Sequence, residues 1–171
     1  ELKFHIVEFS DKLLPELAGE ISKYTLSVFQ KRKINIHLKT ALKEVSIYKV
    51  FLSNGRSIET NTIISTIGST VSKIIKQSGL PLKNGKIITN EFLQVQHLDN
   101  VWAIGDSALI PNKVNTNDYP YSPPTAQFAV RQAKLLAKNI ILKSMKKNLR
   151  KFNYKSKGSL ASLGSKKGVG K

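Results

Sequence analysis

Hydrophobic residues recur along the first part of the chain in short runs separated by polar turns, which predicts short strands and amphipathic helices. Residues 4–8 form an apolar run that ends on the carboxylate of Glu8, as a short strand would. A helix-like run follows Ser10 and Asp11 and continues to Lys31, and residues 35–40 have the composition of a further strand.

Two segments around an Asn-Gly pair predict a hairpin. Residues 45–52 and 57–64 alternate between apolar and polar positions, and Asn54-Gly55 lies between them. Asn-Gly favours the tight turn that joins two antiparallel strands. Residues 63–68 then predict a buried strand that ends at Gly68 in a small-residue turn, which could pass close to a ligand.

The next segment predicts a short helix beginning near residue 71, a break at Gly79-Leu80-Pro81, and strands around 86–89 and 92–95. Residues 101–106, Val-Trp-Ala-Ile-Gly-Asp, then predict an apolar strand, buried on both faces, that ends on a carboxylate. Open α/β sheets bind ligands at the carboxyl ends of their strands. Gly105 would let a ligand approach the backbone, and Asp106 could accept hydrogen bonds from sugar hydroxyls. An ordinary strand and turn is the alternative.

A long amphipathic helix is predicted to begin at Ser122-Pro123-Pro124, because proline is tolerated in the first turn. Its N-terminus could face an anion, although a plain packing helix is the alternative. Apolar residues keep helical spacing and predict one buried face, formed by Ala129, Ala133, Leu136, Ala137, Ile140 and Ile141.

Composition narrows the possible chemistry. The 171 residues contain no cysteine, which excludes disulfides and thiolate metal sites within this chain, and the three histidines lack ligand spacing, so no metal is expected. The net charge is +17, and every residue after Asp118 is neutral or basic. This charge favours an anionic membrane surface as a partner, with a merely solvated basic face as the alternative. No apolar run approaches the roughly twenty residues that span a bilayer.

The 101–106 segment, the helix opening at Pro123-Pro124-Thr125-Ala126-Gln127 and the aromatic-containing segment 152–164 occur in the order and approximate spacing of a known family. Together they resemble the C-terminal FAD-binding element of the type II NADH:quinone oxidoreductases, which are two-dinucleotide flavoproteins. The resemblance implies an α/β fold with two Rossmann-like domains, one for FAD and one for NAD(H). It also implies an enzyme that passes electrons from NADH through FAD to a quinone without pumping protons.

The resemblance implies roles for particular residues. Gly105 and Asp106 would bind the FAD ribitol, while the backbone N–H groups near Ala126 and Gln127 would face the C2 carbonyl of the flavin ring. It assigns no catalytic side chain, because the cofactor carries the chemistry. Gln127 and Arg131 would line the quinone pocket; Arg131 stands where the family has a second glutamine, and its fixed charge and donor-only chemistry make the nature of the acceptor open.

On the NADH side, the resemblance implies that Glu8 would accept hydrogen bonds from the adenine ribose and disfavour NADPH. A charged residue closing a surface strand is the alternative for Glu8. Thr66 and Gly68 would form the small-residue turn where the chain leaves the NADH domain. The domains expected are therefore the second half of an NADH domain at 1–68, the last part of an FAD domain at 69–150, and the start of a membrane-associated, quinone-side segment at 151–171.

The chain contains no Gly-x-Gly-x-x-Gly turn, although the resemblance requires two, one for each pyrophosphate. We therefore expect a fold incomplete at both ends, and little activity from the isolated chain. The full enzyme is expected to be a peripheral membrane protein at the cytoplasmic face, and a homodimer is possible.

Two alternatives remain: another FAD/NAD(P)-dependent oxidoreductase, such as a sulfide:quinone or ferredoxin reductase, and a basic nucleic-acid-binding module. The absence of cysteine counts against the sulfide enzyme, and the lack of aromatic residues interleaved with the basic cluster counts against nucleic-acid binding.

Overall fold

The computed structural model describes residues 2–66, 68, 72–114 and 120–171. The chain forms two compact units. The first unit comprises Glu1–Thr66 and Gly158–Lys171, and the second comprises Ile67–Lys157. The expected division at 1–68, 69–150 and 151–171 concerns the domains of a whole protein and stays a prediction.

The first unit begins with a β-α-β segment. Strands β1 (His5–Val7) and β2 (Asn35–His37) pair in parallel and are connected through helix α1 (Gly19–Lys31). Glu20 in the first turn of α1 and Lys31 in its last turn complement the helix dipole. The predicted end of this helix at Lys31 is confirmed, but its predicted start after Asp11 is wrong, because residues 11–17 form bends and turns before the helix begins at Gly19. The strand predicted over 35–40 stops at His37.

An antiparallel meander follows, formed by β3 (Leu42–Val45), β4 (Lys49–Leu52) and β5 (Ser57–Glu59). The predicted hairpin is confirmed between β4 and β5. Gly55 there has φ +81°, a conformation that glycine adopts without strain. The Asn54 side chain also accepts the N–H of Arg56 at 3.1 Å. The predicted strand over 45–52 is wrong in its first half, because a turn separates β3 from β4.

The prediction of a buried strand over 63–68 is wrong in the described residues. Residues 62–66 are in no strand, and Ile64 is 84% exposed. An apolar segment forms a strand only where a neighbouring strand pairs with its backbone. None of the described strands pairs with residues 62–66. The last two strands of this unit, β9 (Leu160–Ser162) and β10 (Gly168–Gly170), form an antiparallel hairpin, and Arg32 donates a hydrogen bond to the carbonyl oxygen of Leu163.

The second unit contains a short helix, a three-stranded sheet and a long helix. Helix α2 (Lys73–Gln77) precedes β6 (Leu82–Lys83), β7 (Lys86–Ile88) and β8 (Ala108–Leu109), and β7 lies between an antiparallel β6 and a parallel β8. Helix α3 (Ala126–Ser144) follows. The core of this unit consists of Ile87, Leu93, Val95, Ala103, Ala108, Ile110, Phe128 and Phe152.

The predicted strands at 92–95 and 101–106 are replaced by isolated bridges. Trp102 forms a single bridge with Gln94, and Val95 forms one with Thr89. Gly105, at φ +72°, turns the chain into a 3-10 turn, Gly105–Ser107, that leads directly into β8. Asp106 therefore precedes a sheet strand instead of ending one, and Val101 is 37% exposed instead of buried.

The predicted long helix is confirmed, but its start and its buried face differ from the prediction. Helix α3 starts at Ala126, because Pro124 keeps Pro123 out of the helical conformation and Thr125 is extended (φ −139°, ψ 151°). Phe128, Gln132 and Asn139 are buried, whereas Ile140 and Ile141 of the predicted face are about half exposed. Hydrophobic spacing missed this face because two of its three buried residues are amides.

Candidate functional site

In the second unit, the Gly105–Ser107 turn lies against the first two turns of α3. The N–H of Gly105 donates to Oε1 of Gln132 at 2.9 Å, and Gln132 is 1% exposed. A side chain at position 105 would meet the Cβ of Ala129 at 3.8 Å, which is ordinary contact. The positive φ, not crowding, is therefore what favours glycine there.

Asp106 projects from this turn into solvent. Its side chain is exposed and takes part in none of the ion pairs found in the described ranges. A carboxylate held on a fixed turn can accept hydrogen bonds from the hydroxyls of a sugar alcohol. The chemistry of this position therefore suits the ribitol chain of a flavin.

The N-terminus of α3 lies beside the same turn. The carbonyl of Thr125 accepts the N–H groups of Phe128 and Ala129, both at 3.0 Å, but the Thr125 side chain makes no capping hydrogen bond. Ala126 is exposed and Gln127 is half-buried. First-turn N–H groups and the positive end of the helix dipole suit a ligand carbonyl or an anion. This end of the helix and Asp106 together fit the carbonyl and ribitol groups of a flavin.

Gln127 and Arg131 lie together at the start of α3, where both contact Tyr154. The side-chain oxygen of Gln127 accepts hydrogen bonds from the Tyr154 hydroxyl and the Lys157 N–H, both at 2.9 Å, and from the Ser156 hydroxyl at 3.4 Å. The Arg131 guanidinium lies 4.2 Å from the centre of the Tyr154 ring and donates to the Gln127 backbone oxygen at 2.7 Å. We call Gln127, Arg131 and Tyr154 the aromatic clasp.

Sequence reasoning missed the residues that hold this arrangement. Asn112 is fully buried, donates to the Tyr154 backbone oxygen at 2.8 Å and accepts the Tyr154 N–H at 3.3 Å. Asn139, also fully buried, donates to the backbone oxygens of Phe92 and Arg150. Helical spacing was the one signal in the sequence that could have identified Asn139. Residues 128, 132, 135 and 139 lie on one face of the helix, and this face becomes visible when buried amides are counted along with apolar residues.

In the first unit, Glu8 lies at the carboxyl end of β1. Its side-chain oxygen accepts the N–H of Ser10 at 2.7 Å, which fixes the direction of the carboxylate, and its own N–H donates to the His37 backbone oxygen at 2.9 Å. The second carboxylate oxygen could accept from a ribose hydroxyl. Thr66 is exposed, and in the second unit Gly68 is also exposed with φ +96°. Neither Thr66 nor Gly68 takes part in the contacts described above for Asp106, helix α3 and Glu8.

A histidine pair lies near Glu8 on the strand pair β1–β2. Nδ1 of His5 and Nε2 of His37 are 3.1 Å apart, and the two rings are nearly parallel. Burial, and then the neighbouring His5 and Arg56, lower the pKa of His37 below the ordinary histidine value.

Across residues 2–66, 68, 72–114 and 120–171, no three histidine or acidic side chains gather closely enough to hold a metal ion. Within the same ranges, none of the helices combines the length and the apolar character needed to cross a bilayer.

A sequence profile for pyridine nucleotide-disulphide oxidoreductases matches residues 1–133. The chain is 29% identical over 176 residues to a type II NADH:quinone oxidoreductase of Staphylococcus saprophyticus, and 29% identical over 174 residues to one of Staphylococcus aureus. Each match covers 99% of this chain and 42% of the relative, so the chain spans less than half the length of these relatives. The resemblance expected from the sequence is confirmed.

Solved structures show the same fold. The structure of NDH2 from Plasmodium falciparum in complex with NADH has a TM-score of 0.86 at 20% identity, covering 99% of this chain and 50% of that one. Reduced Bacillus anthracis CoADR-RHD has a TM-score of 0.77 at 24% identity, covering 95% of this chain and 29% of that one. The expected α/β fold of the two-dinucleotide flavoprotein type is therefore confirmed.

Proposed function

Because the chain belongs to the pyridine nucleotide-disulphide oxidoreductase family, we propose that it is part of an FAD-dependent enzyme that oxidises NADH and reduces a membrane quinone without pumping protons. The observation that carries the proposal is the exposed carboxylate of Asp106 beside the N-terminus of α3, held there by the Gly105–Gln132 hydrogen bond. Similarity to quinone oxidoreductases over 99% of the chain supports the choice of acceptor.

Different residues would bind different parts of FAD and NADH. Asp106 would accept hydrogen bonds from the ribitol hydroxyls, and the N–H groups near Ala126 and Gln127 would donate to the C2 carbonyl end of the ring. Glu8 would bind the adenine ribose of NADH. Its negative charge would repel the 2′-phosphate that NADPH carries on that ribose. Thr66 and Gly68 stay predictions for the nucleotide side, because nothing in their described surroundings adds support.

Bound FAD would supply hydride and electron transfer between NADH and the quinone. The balance is one NADH, one proton from solvent and one quinone consumed, with NAD⁺ and one quinol produced. The chain's own residues bind and orient the reactants in this scheme. No side chain is required to form a covalent bond.

The membrane part of the proposal rests on charge. Lysine and arginine side chains cluster in and after the last turn of α3, and most of them are exposed: Lys143, Lys146, Lys147, Arg150, Lys151, Lys155 and Lys157. Each basic residue near an anionic bilayer contributes about 1 kcal/mol. We therefore propose peripheral binding to an anionic membrane surface, at the cytoplasmic face. The homodimer stays a prediction.

The experiment is steady-state kinetics on the flavin-bearing holoenzyme with NADH or NADPH as donor and a quinone as acceptor. Quinone-dependent oxidation of NADH, with NADPH much less effective, would support the proposal. NADH oxidation that proceeds equally well without added quinone, or that requires oxidised ferredoxin as the acceptor, would favour another member of the same family. Quinone reduction that uses sulfide but not NADH as the donor would do the same. No relative or structure reported above supports the nucleic-acid-binding alternative.

A further inference from the structure

We propose that Arg131 makes the acceptor site selective for an electron acceptor that carries a negative charge beside its reducible ring. The inference rests on the proposed function, since it names the class of acceptor for that same reaction. The electron and proton balance is unchanged; only the recognition of the acceptor is specified.

The first argument is that the Arg131 guanidinium is held in one orientation. It stacks over the Tyr154 ring at 4.2 Å, and its Nη1 donates to the Gln127 backbone oxygen at 2.7 Å. Tyr154 is itself fixed, because its backbone bonds Asn112 on both sides and its ring meets Phe128 edge-on at 5.0 Å. A pre-oriented planar fork loses little conformational entropy when it binds a ligand.

The second argument is that, among the residues the structure describes, no carboxylate pairs with the charge on Arg131. None of the ion pairs in the described ranges includes it, although the residue is half-buried. Arginine stays protonated in proteins and has five N–H donors, of which one bonds Gln127. A half-buried cation with donors to spare favours an anionic ligand, because partial burial weakens solvent screening.

The third argument is that Gln127 is already engaged. Its side-chain oxygen accepts from Tyr154, Ser156 and Lys157, which more than fills the two lone pairs of an amide oxygen. That oxygen therefore has no capacity left for a quinol hydroxyl. Arg131 is the one member of the aromatic clasp that carries a charge, and it lies on the same two helical turns that pack against the Gly105–Ser107 turn.

The test compares two acceptors that differ by one charged group, 1,4-naphthoquinone-2-sulfonate and 1,4-naphthoquinone. The ratio of their kcat/KM values is measured in the holoenzyme and in the variants Arg131→Gln and Arg131→Lys. Comparing ratios between variants cancels the intrinsic difference in redox potential between the quinones. Lys134→Gln is the matched control, since it removes an exposed charge three residues further along the same helix.

The expected result is that Arg131→Gln lowers the sulfonate-to-parent ratio about tenfold, which corresponds to about 1.4 kcal/mol. Arg131→Lys, which keeps the charge, should lower the ratio less than Arg131→Gln. Lys134→Gln should change it less than about twofold, because salt screens exposed charges. An unchanged ratio in Arg131→Gln, or an equal loss with both quinones, would overturn the proposal, and the equal loss would assign Arg131 to flavin binding or to folding.

A binding measurement separates this inference from the proposed function. Naphthalene-2-sulfonate, which cannot be reduced, should bind the wild-type holoenzyme and lose about tenfold in affinity in Arg131→Gln. If Arg131→Gln does not fold, the affinities of naphthalene-2-sulfonate and naphthalene are compared in wild type and in Arg131→Lys. Equal affinity of the wild-type holoenzyme for the two ligands would refute the role of Arg131. A wild-type enzyme that reduces neither quinone would contradict the proposed function, while sulfonate binding would still test Arg131.

Discussion

Replacing Gln132 by leucine removes the side chain that joins α3 to the Gly105–Ser107 turn. Leucine keeps much of the volume of glutamine, so the substitution tests the hydrogen bond with little added cavity. The 2.9 Å bond from the Gly105 N–H would be lost in a site where the acceptor is only 1% exposed. An unsatisfied donor of this kind costs about 1–3 kcal/mol.

That loss has two measurable consequences. If the 171 residues unfold together, each kcal/mol lowers Tm by about 2–4 °C, so Gln132→Leu should lower it by about 2–12 °C. FAD should also be retained less well, because the turn that carries Asp106 would no longer be held against the helix. Circular dichroism melting and the absorbance of released flavin measure the two effects on the same preparation.

Gln30→Leu is the matched control, since Gln30 is an exposed glutamine on helix α1. It should leave both the Tm and the flavin content close to wild type. The reasoning would be refuted if Gln132→Leu melted within about 1 °C of wild type with full flavin content. The hydrogen bond would then not be what holds the turn.

Three further predictions concern other parts of the chain. Glu8→Gln should raise the KM for NADH and reduce discrimination against NADPH, and an unchanged NADH-to-NADPH ratio in steady-state kinetics would remove Glu8 from the nucleotide site. Because folding lowers the pKa of His37, this histidine takes up a proton at a higher pH in the unfolded chain than in the folded one. The free energy of unfolding should therefore fall as pH drops from the ordinary value of 6.5 toward the lower folded value. Chemical denaturation across that window should show a smaller decline in the free energy of unfolding of His37→Gln than of wild type. Replacing Lys146 and Lys147 by glutamine should weaken binding to anionic vesicles about 30-fold, at about 1 kcal/mol per charge, with neutral vesicles as the control; equal binding to both vesicle types by wild type would contradict the charge argument.

Local chemistry predicted the parts of the fold that depend on neighbouring residues. Asn54-Gly55 predicted the β4–β5 hairpin because the turn needs the positive φ that Gly55 adopts. The end of α1 at Lys31 and the presence of a helix after Pro124 were also predicted, since helical spacing and proline act locally, whereas the start of α1 at Gly19 was not.

Features that depend on distant partners could not be predicted this way. Hydrophobic spacing placed Ile140 and Ile141 inside and ignored Gln132 and Asn139, whose burial depends on the Gly105 N–H and the Phe92 carbonyl. The strand expected over 101–106 failed because strand pairing needs a neighbour along its whole length. The aromatic clasp was likewise invisible, because it joins residues of α3 to Tyr154 across more than twenty positions of sequence.

The flavin content of the purified holoenzyme carrying Asp106→Ala tests the central claim most directly. Asp99→Ala is the control, because Asp99 is an exposed aspartate of the same unit and only its backbone oxygen accepts the hydrogen bonds seen there. Loss of hydrogen bonds to a charged group costs about 1.5–3 kcal/mol, so Asp106→Ala should weaken FAD binding roughly 10- to 150-fold while Asp99→Ala leaves it unchanged. Full flavin occupancy in Asp106→Ala would contradict the claim that this carboxylate holds the cofactor.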